Sequence, residues 1–356
     1  MSEASPPGII VGVDTHKQTH AAVAVTGLGA RVAELTVPAC TRGYRDLEAW
    51  ASSLGAVRAF AVEGTGSYGA GLSRFLREKG HAVHEVCRPD RRARHQHGKT
   101  DHLDAEVAAR ALLDGRRAAV PKSGTSEAEM IRHLKVARDT AVKARTQAML
   151  ALKSLIVEAP AALREQLEAL KGKRALLRHL AALRPAAPTT TVASAKTSLR
   201  ALARRWLVLD DEIRSHDAHL EHLVRRRAPA MVEAHGIGVG TAAEMLVLVG
   251  DNPERIRSEA ALAKLCGVCP VPASSGKTNR HRLNRSGNRQ ANAALHRVVV
   301  VRMRAHGPTI DYVRRRTAEG KNKAEIIRCL KRFVAREVYE YLCAAPKPVS
   351  GRPDTP

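Results

Sequence analysis

From Ile9 onward the chain presents three short apolar segments in succession: Ile9-Ile10-Val11-Gly12-Val13, Ala21 to Val25 and Arg31 to Val37. Turns that are short and polar or contain glycine separate them, so the three read as an antiparallel meander. The pattern then changes period. A helix is predicted from about Gly43 to Leu54, a strand at Val57 to Val62, a helix at Tyr68 to Lys79 and a strand at His81 to Val86. A very basic stretch, Arg88 to Lys99, reads as loop, and Asp101 to Leu113 has helical spacing. Three hairpin strands followed by alternating helix and strand require a mixed sheet, so residues 9–118 are expected to form an α/β domain behind a loose tail, residues 1–8.

Residues 119–228 have another character. Met130, Leu134, Ala137, Ala141, Ala144, Ala148, Ala151 and Leu155 recur at alternating spacings of four and three, as do Leu199, Leu202, Trp206, Leu209, Ile213, His216, Leu220 and Leu223. This is heptad-like patterning on long helices, an arm that forms a coiled coil within or between chains or else a plain helical bundle. Between the two runs lie a helical stretch, Leu163 to Leu183, and a break rich in Pro and Thr at Pro185 to Thr191. A mostly helical C-terminal domain is expected over 229–344, and residues 345–356 read as a disordered tail.

The charge bounds the partners. The formal net charge is +24, from 59 Lys and Arg against 35 Asp and Glu, and the basic residues run through the whole chain. Such a surplus marks a polyanion partner, nucleic acid before an acidic membrane surface. Aromatic residues make up 3% of the chain, which argues against a stacking platform and for contact with phosphates. No apolar run approaches the ~20 residues of a membrane span, and Met-Ser-Glu-Ala-Ser-Pro-Pro lacks the form of a secretory signal. Cys266-Gly-Val-Cys269 is the one close cysteine pair. Without a second pair at zinc-site spacing it reads as reduced thiols in a cytosolic protein.

Four acids carry the chemistry. Asp14 and Glu63 each stand where an apolar strand ends, so they emerge side by side if the two strands are neighbours. Asp101 and Asp104 are three apart on one helix and share a face. Four converging carboxylates repel one another unless cations neutralise them, and oxygen ligands suit Mg²⁺ or Mn²⁺. Two such ions can support phosphoryl transfer. Taken singly, each acid has a plain structural role available. Asp14 suits a turn, Asp101 suits a helix N-cap, and Asp104 suits the first turn that follows it.

Further along, His235-Gly236-Ile237-Gly238-Val239-Gly240-Thr241 is a glycine-alternating turn feeding an apolar helix, fit either for phosphate contact or for a tight helix–helix turn. Ser274-Ser275-Gly276-Lys277 follows, with Arg280, Arg282, Arg285 and Arg289 beyond it. A serine needs a base, a cation or a metal to act as nucleophile. Read on its residues alone, this is a polar loop ahead of a phosphate-binding basic helix.

Val11-Gly-Val-Asp14-Thr-His-Lys, Glu63-Gly-Thr-Gly-Ser-Tyr68 and Lys99-Thr-Asp101-His-Leu-Asp104-Ala together resemble the DEDD transposases of the IS110/IS1111 insertion-sequence family, over nearly the whole chain. The resemblance implies an RNase H-like first domain similar to the RuvC junction resolvase, with Asp14, Glu63, Asp101 and Asp104 as Mg²⁺ (or Mn²⁺) ligands. It implies a helix-hairpin-helix at Gly236, Gly238 and Gly240. It implies a nucleophilic serine before a glycine, which is Ser275, with Ser274 adjacent. Where relatives continue with an Arg-Gly-Arg-like stretch and Lys-x-Gly-Asn, this chain has His281 and Ser286, which puts the details of phosphate contact in question. The implied activity is DNA strand breakage and rejoining through a transient phosphoserine. The implied partners are element and target DNA, a structured guide RNA and further copies of the chain as dimer or tetramer, in the bacterial cytoplasm at the nucleoid. Two other readings stand beside it: a metal-dependent junction resolvase that uses water, and a non-catalytic nucleic-acid-binding scaffold.

Overall fold

The computed structural model describes residues 8–86, 100–115, 118–276 and 281–344. Both expected tails (all but Gly8), the basic stretch 88–99, Lys277 and Arg280 lie outside the described residues. Those described divide into two compact units. One comprises residues up to Ala128 together with Val249–Ala261, and the other comprises Glu129–Leu248 with residues from Leu262 onward. The helical arm and most of the C-terminal segment thus fall within one unit. Residues 249–261 join the first unit through a side-chain clasp. Asn252 Nδ2 donates to Pro121 O at 2.9 Å, Ser123 N donates to Asn252 Oδ1 at 3.2 Å, and Ala128 N donates to Asp251 Oδ1 at 2.9 Å.

The first unit is built on a six-stranded mixed sheet of order β3-β2-β1-β4-β5-β6. Its strands are β1 (Ile9–Thr15), β2 (Thr19–Thr26), β3 (Arg31–Pro38), β4 (Val57–Glu63), β5 (Val83–Val86) and β6 (Ala118–Ala119). The meander β1-β2-β3 is antiparallel, β4 and β5 run parallel to β1, and β6 returns antiparallel. β6 was not anticipated, because two alanines carry no readable alternation. The order is that of an RNase H-like α/β domain.

Alternation along the strands sorts the core into two layers. Val11, Val13, Phe60 and Val62 pack with Leu47 and Ala51 of α1 (Thr41–Ser53) and Leu72 and Leu76 of α2 (Ala70–Glu78). Ile10, Val23, Val25 and Ala61 face the other way, against Ala105, Ala108 and Ala109 of α3 (Asp101–Leu113). Residues 10, 12 and 14 of β1 and residues 61 and 63 of β4 therefore share the α3 side of the sheet.

In the second unit, α4 (Glu127–Glu158, whose first two residues belong to the first unit) and α7 (Thr191–Arg227) are the long helices, with α5 (Ala161–Glu168) and α6 (Lys173–Ala182) between them. The helical stretch expected over 163–183 comprises α5 and α6, separated at Gly172, where φ is 92°. Leu152, Leu163, Leu167, Leu177, Leu180, Leu199 and Trp206 form one core shared by these four helices. The predicted α7 stripe buries Leu199, Trp206, Ile213 and Leu220. On α4 the buried positions are Ala128, Ile131, Ala141, Ala148 and Leu152, while Met130 is 51% exposed. A straight helix drifts ~20° per heptad from a strict seven-residue repeat, which moves the buried face by one residue at the ends of a long run. The remainder comprises α8 (Pro229–Glu233), α9 (Val239–Val249), α10 (Glu259–Leu265), the short pair β7 (Val271–Pro272) and β8 (His281–Arg282), and α11 (Arg289–Ala305), α12 (Gly307–Ala318) and α13 (Lys323–Leu342). No helix among the described residues is long and apolar enough to cross a membrane.

Candidate metal centre

The site starts from register. Val13 of β1 pairs with Val62 of β4 in parallel, so the next residue on each strand, Asp14 and Glu63, leaves the sheet at the same level. Parity directs both to the α3 side. Thr15 Oγ1 donates to Glu63 O at 2.8 Å, tying the two strand ends together. Immediately after Glu63, Gly64 adopts φ 69°, a left-handed conformation disfavoured for other residues, and its carbonyl accepts from Ser67 N and Gly69 N at 2.9 and 3.1 Å. The Gly-Thr-Gly-Ser-Tyr segment is thus the turn that stops β4 at its carboxylate.

The other two acids come from α3. Thr100 caps this helix by accepting from Leu103 N, which starts the first turn at Asp101. On one helical face stand Asp101, Asp104, Ala105 and Ala108. Gly12 of β1 lets this face reach the sheet at backbone contact, since a Cβ there would lie 1.9 Å from Ala105 O. Asp14, Glu63 and Asp104 are each 7–8% exposed, and the Asp101 side chain is 54% exposed.

Three of the carboxylates act on the fourth, Asp14. Burial pushes the Asp14 carboxyl above the usual carboxylate range; His16 works against this, and Glu63, Asp104 and Asp101 add to it. Buried acids crowded together in this way fit a divalent cation with oxygen ligands, whose charge would relieve both desolvation and repulsion. His16, which the motif contained but the acid pattern did not single out, is part of the cluster. Its Nε2 lies 3.1 Å from Asp14 Oδ2 and 3.3 Å from Asp101 Oδ1. One ligand atom from each of Asp14, His16 and Asp101 falls within 4.8 Å of the others, a grouping able to hold a metal ion. The available signal was position: two residues after Asp14, His16 has the same parity.

The remaining sequence-predicted residues belong to the second unit. Ser275 is exposed on the segment after β7, next to Ser274 and Gly276. Arg282, Arg285 and Arg289 are exposed along β8 and the start of α11. Gly236 takes φ 81° in the turn between α8 and α9, Gly238 O accepts from Thr241 N at 2.9 Å, and Gly240 lies in the first turn of α9. The Cys266 thiol is buried and pushed up to about 12 by that burial, which leaves it unreactive.

Strand order and acid placement are compatible with an RNase H-like α/β domain carrying a carboxylate cluster suited to a divalent cation. An IS110-type DEDD transposase family matches residues 11–159, and the family described as Transposase IS116/IS110/IS902 matches residues 230–314. The chain belongs to the IS110 family of transposases. It is 30% identical over 141 residues to an insertion element IS900 uncharacterized 42 kDa protein of Mycobacterium paratuberculosis, covering 39% of this chain and 35% of that protein. It is 30% identical over 134 residues to an insertion element IS110 uncharacterized 43.6 kDa protein of Streptomyces coelicolor, covering 37% and 33%. The chain thus spans about a third of the length of the curated relatives it matches.

Proposed function

We propose that this protein is a DNA transposase that cuts and rejoins strands with a serine nucleophile and a divalent-metal site. The observation that carries the reading is the convergence of Asp14, Glu63, Asp101 and Asp104 on the α3 side of the sheet, three of them buried. Mg²⁺ or Mn²⁺ held by these carboxylates supplies charge stabilisation at a scissile phosphate. Ser275 is the nucleophile: its Oγ bonds to phosphorus, its proton is lost, and the bond from phosphorus to the sugar oxygen breaks, that oxygen gaining a proton. Attack by a sugar hydroxyl on the phosphoserine reverses each change and restores the phosphodiester without ATP. Exposure of Ser275 supports the role, since a DNA phosphate must reach it.

Arg282, Arg285 and Arg289, with Lys277 and Arg280, supply phosphate contacts. The α8–turn–α9 segment at Gly236, Gly238 and Gly240 serves as a helix-hairpin-helix grip. The long α4 and α7 support assembly of copies through a coiled coil and contact with a structured guide RNA. The test is the covalent step. Ser275→Ala is expected to abolish both strand exchange and the protein–DNA adduct retained on a denaturing gel. An adduct persisting in Ser275→Ala would defeat the assignment, and its loss in Ser274→Ala alone would move it to the neighbouring serine. Cleavage without any adduct in the unaltered protein would favour a water-using resolvase.

A further inference from the structure

We propose that a basic cavity in the second unit takes one unstacked nucleotide of a single-stranded nucleic acid, with its base against Phe333 and its phosphate held by Lys331 and Arg328. The inference rests on the nucleic-acid reading above and adds a site distinct from Ser275 and the carboxylates. The cavity, of about 620 Å³, lies between the Gly267–Pro270 turn, residues 281–284, the end of α12 and the first half of α13. That volume is within the roughly 300–1,000 Å³ of small-molecule sites.

Its charge selects an anion. Six lysines and arginines line it against two acids, Glu319 and Glu325. Both acids are engaged: Glu319 pairs with Arg316, and Glu325 Oε2 accepts from Asn322 N at 3.1 Å. Lys331 is 7% exposed, and among the described residues no carboxylate lies within ion-pair distance of it. Its Nζ donates to Asn292 Oδ1 at 2.8 Å. Asn292 Nδ2 in turn donates to the carbonyls of Cys266 and Gly267 at 2.9 and 3.1 Å, which fixes the amide with its oxygen toward the lysine. Burial and Arg328 both disfavour the charged form of Lys331. A buried ammonium answered only by a neutral amide is a group that an anion would stabilise.

Phe333 decides between a bare anion and a nucleotide. The chain has three phenylalanines. Phe60 and Phe75 pack in the first unit's core, whereas Phe333 is 46% exposed and lines this cavity. Tyr312 meets it edge-on, with ring centres 5.4 Å apart at 85°, and buttresses it in place. A flat ring exposed within a ring of cations matches a base joined to a phosphate. Bases in a duplex are stacked and offer no free face, so the ligand is single-stranded.

Full-length protein is titrated into labelled oligothymidylate or oligouridylate of about eight nucleotides, within the footprints of single-strand binders, and into a labelled duplex. Fluorescence anisotropy reads affinity. Phe333→Ser and Arg328→Gln are each expected to weaken single-strand binding about tenfold and to leave duplex binding unchanged, while Phe333→Tyr retains wild-type affinity. The tighter of the two oligomers identifies DNA or RNA as the source. Single-strand binding that is unchanged in both variants, or Arg328→Gln losses equal on single strand and duplex, overturns the proposal while the nucleic-acid reading stands. Failure of the unaltered protein to bind any of the three overturns both.

Discussion

Gly12 lies so close to Ala105 that a Cβ on residue 12 would stand 1.9 Å from the Ala105 carbonyl oxygen and 2.7 Å from Ala109 N. β1 and α3 meet backbone to backbone, and this approach brings Asp104 to Asp14. Gly12→Ala must push the helix off the sheet. Overpacking ordinarily costs ~1–3 kcal/mol, and an obstacle of main chain puts this substitution at or beyond the top of that range. A lowered urea midpoint together with weaker Mn²⁺ binding is expected. An unchanged midpoint would show that the contact does not hold the site.

On the opposite face of the sheet, His20 is wholly buried and stacks on Tyr44 with ring centres 5.7 Å apart. Burial is the largest cause lowering its pKa. The unfolded chain therefore binds this proton more readily than the folded one, and stability falls as pH drops below the ordinary histidine value of ~6.5. The contribution of one group is at most ~1.4 kcal/mol per pH unit. His20→Leu should flatten the fall in unfolding free energy between about pH 7 and 5, the range around that value. Equal slopes in both proteins would count against it.

Asp210 organises the helical arm. This buried carboxylate on α7 pairs with Arg145 of α4 and Arg214 one turn on, and lies 3.7 Å from Arg174 of α6. Removing one partner of a buried pair costs ~3–5 kcal/mol. The arginines here keep partial access to water, so Asp210→Ala is expected at the lower end, about 3 kcal/mol. Differential scanning calorimetry should show the loss in the second unit's transition.

In the proposed function, exposed cations set affinity for nucleic acid rather than fold. Arg285 and Arg289 lie at the surface. Replacing both with alanine should reduce the slope of log affinity against log salt for duplex DNA by about two. An unaltered slope would place the DNA elsewhere on the protein.

How far the site was legible follows from the kind of signal each part leaves. The bounds of α3, Asp101 to Leu113, are legible from residues repeating at helical spacing, whereas its N-cap is Thr100 and not Asp101, which lies in the first turn. Asp14 and Glu63 were placed at strand ends by period-two patterning, and the parallel register of Val13 with Val62 makes them neighbours. His16 is not legible as part of the site, because a single residue two places from an acid creates no pattern of its own. The role of Gly12 depends on how near a helix from residue 101 onward comes, which no local window contains. The phase of α4 slipped at its ends because a 3.5-residue pattern was imposed on a straight helix. Phe333 is not legible in the sequence, because the scarcity of aromatics is a property of the whole chain, whereas its meaning lies in one exposed ring among cations.

In the proposed function, Asp14, Glu63, Asp101 and Asp104 together hold a divalent metal. Electron paramagnetic resonance of Mn²⁺ titrated into the protein tests it most directly, since free Mn²⁺ gives a signal that binding removes. Expected is binding that Mg²⁺ displaces and that Asp14→Asn or Asp104→Asn weakens at least tenfold, roughly the lower bound for losing a metal-supporting group. Mn²⁺ that stays free in the unaltered protein, or binds equally well in both variants, would contradict it.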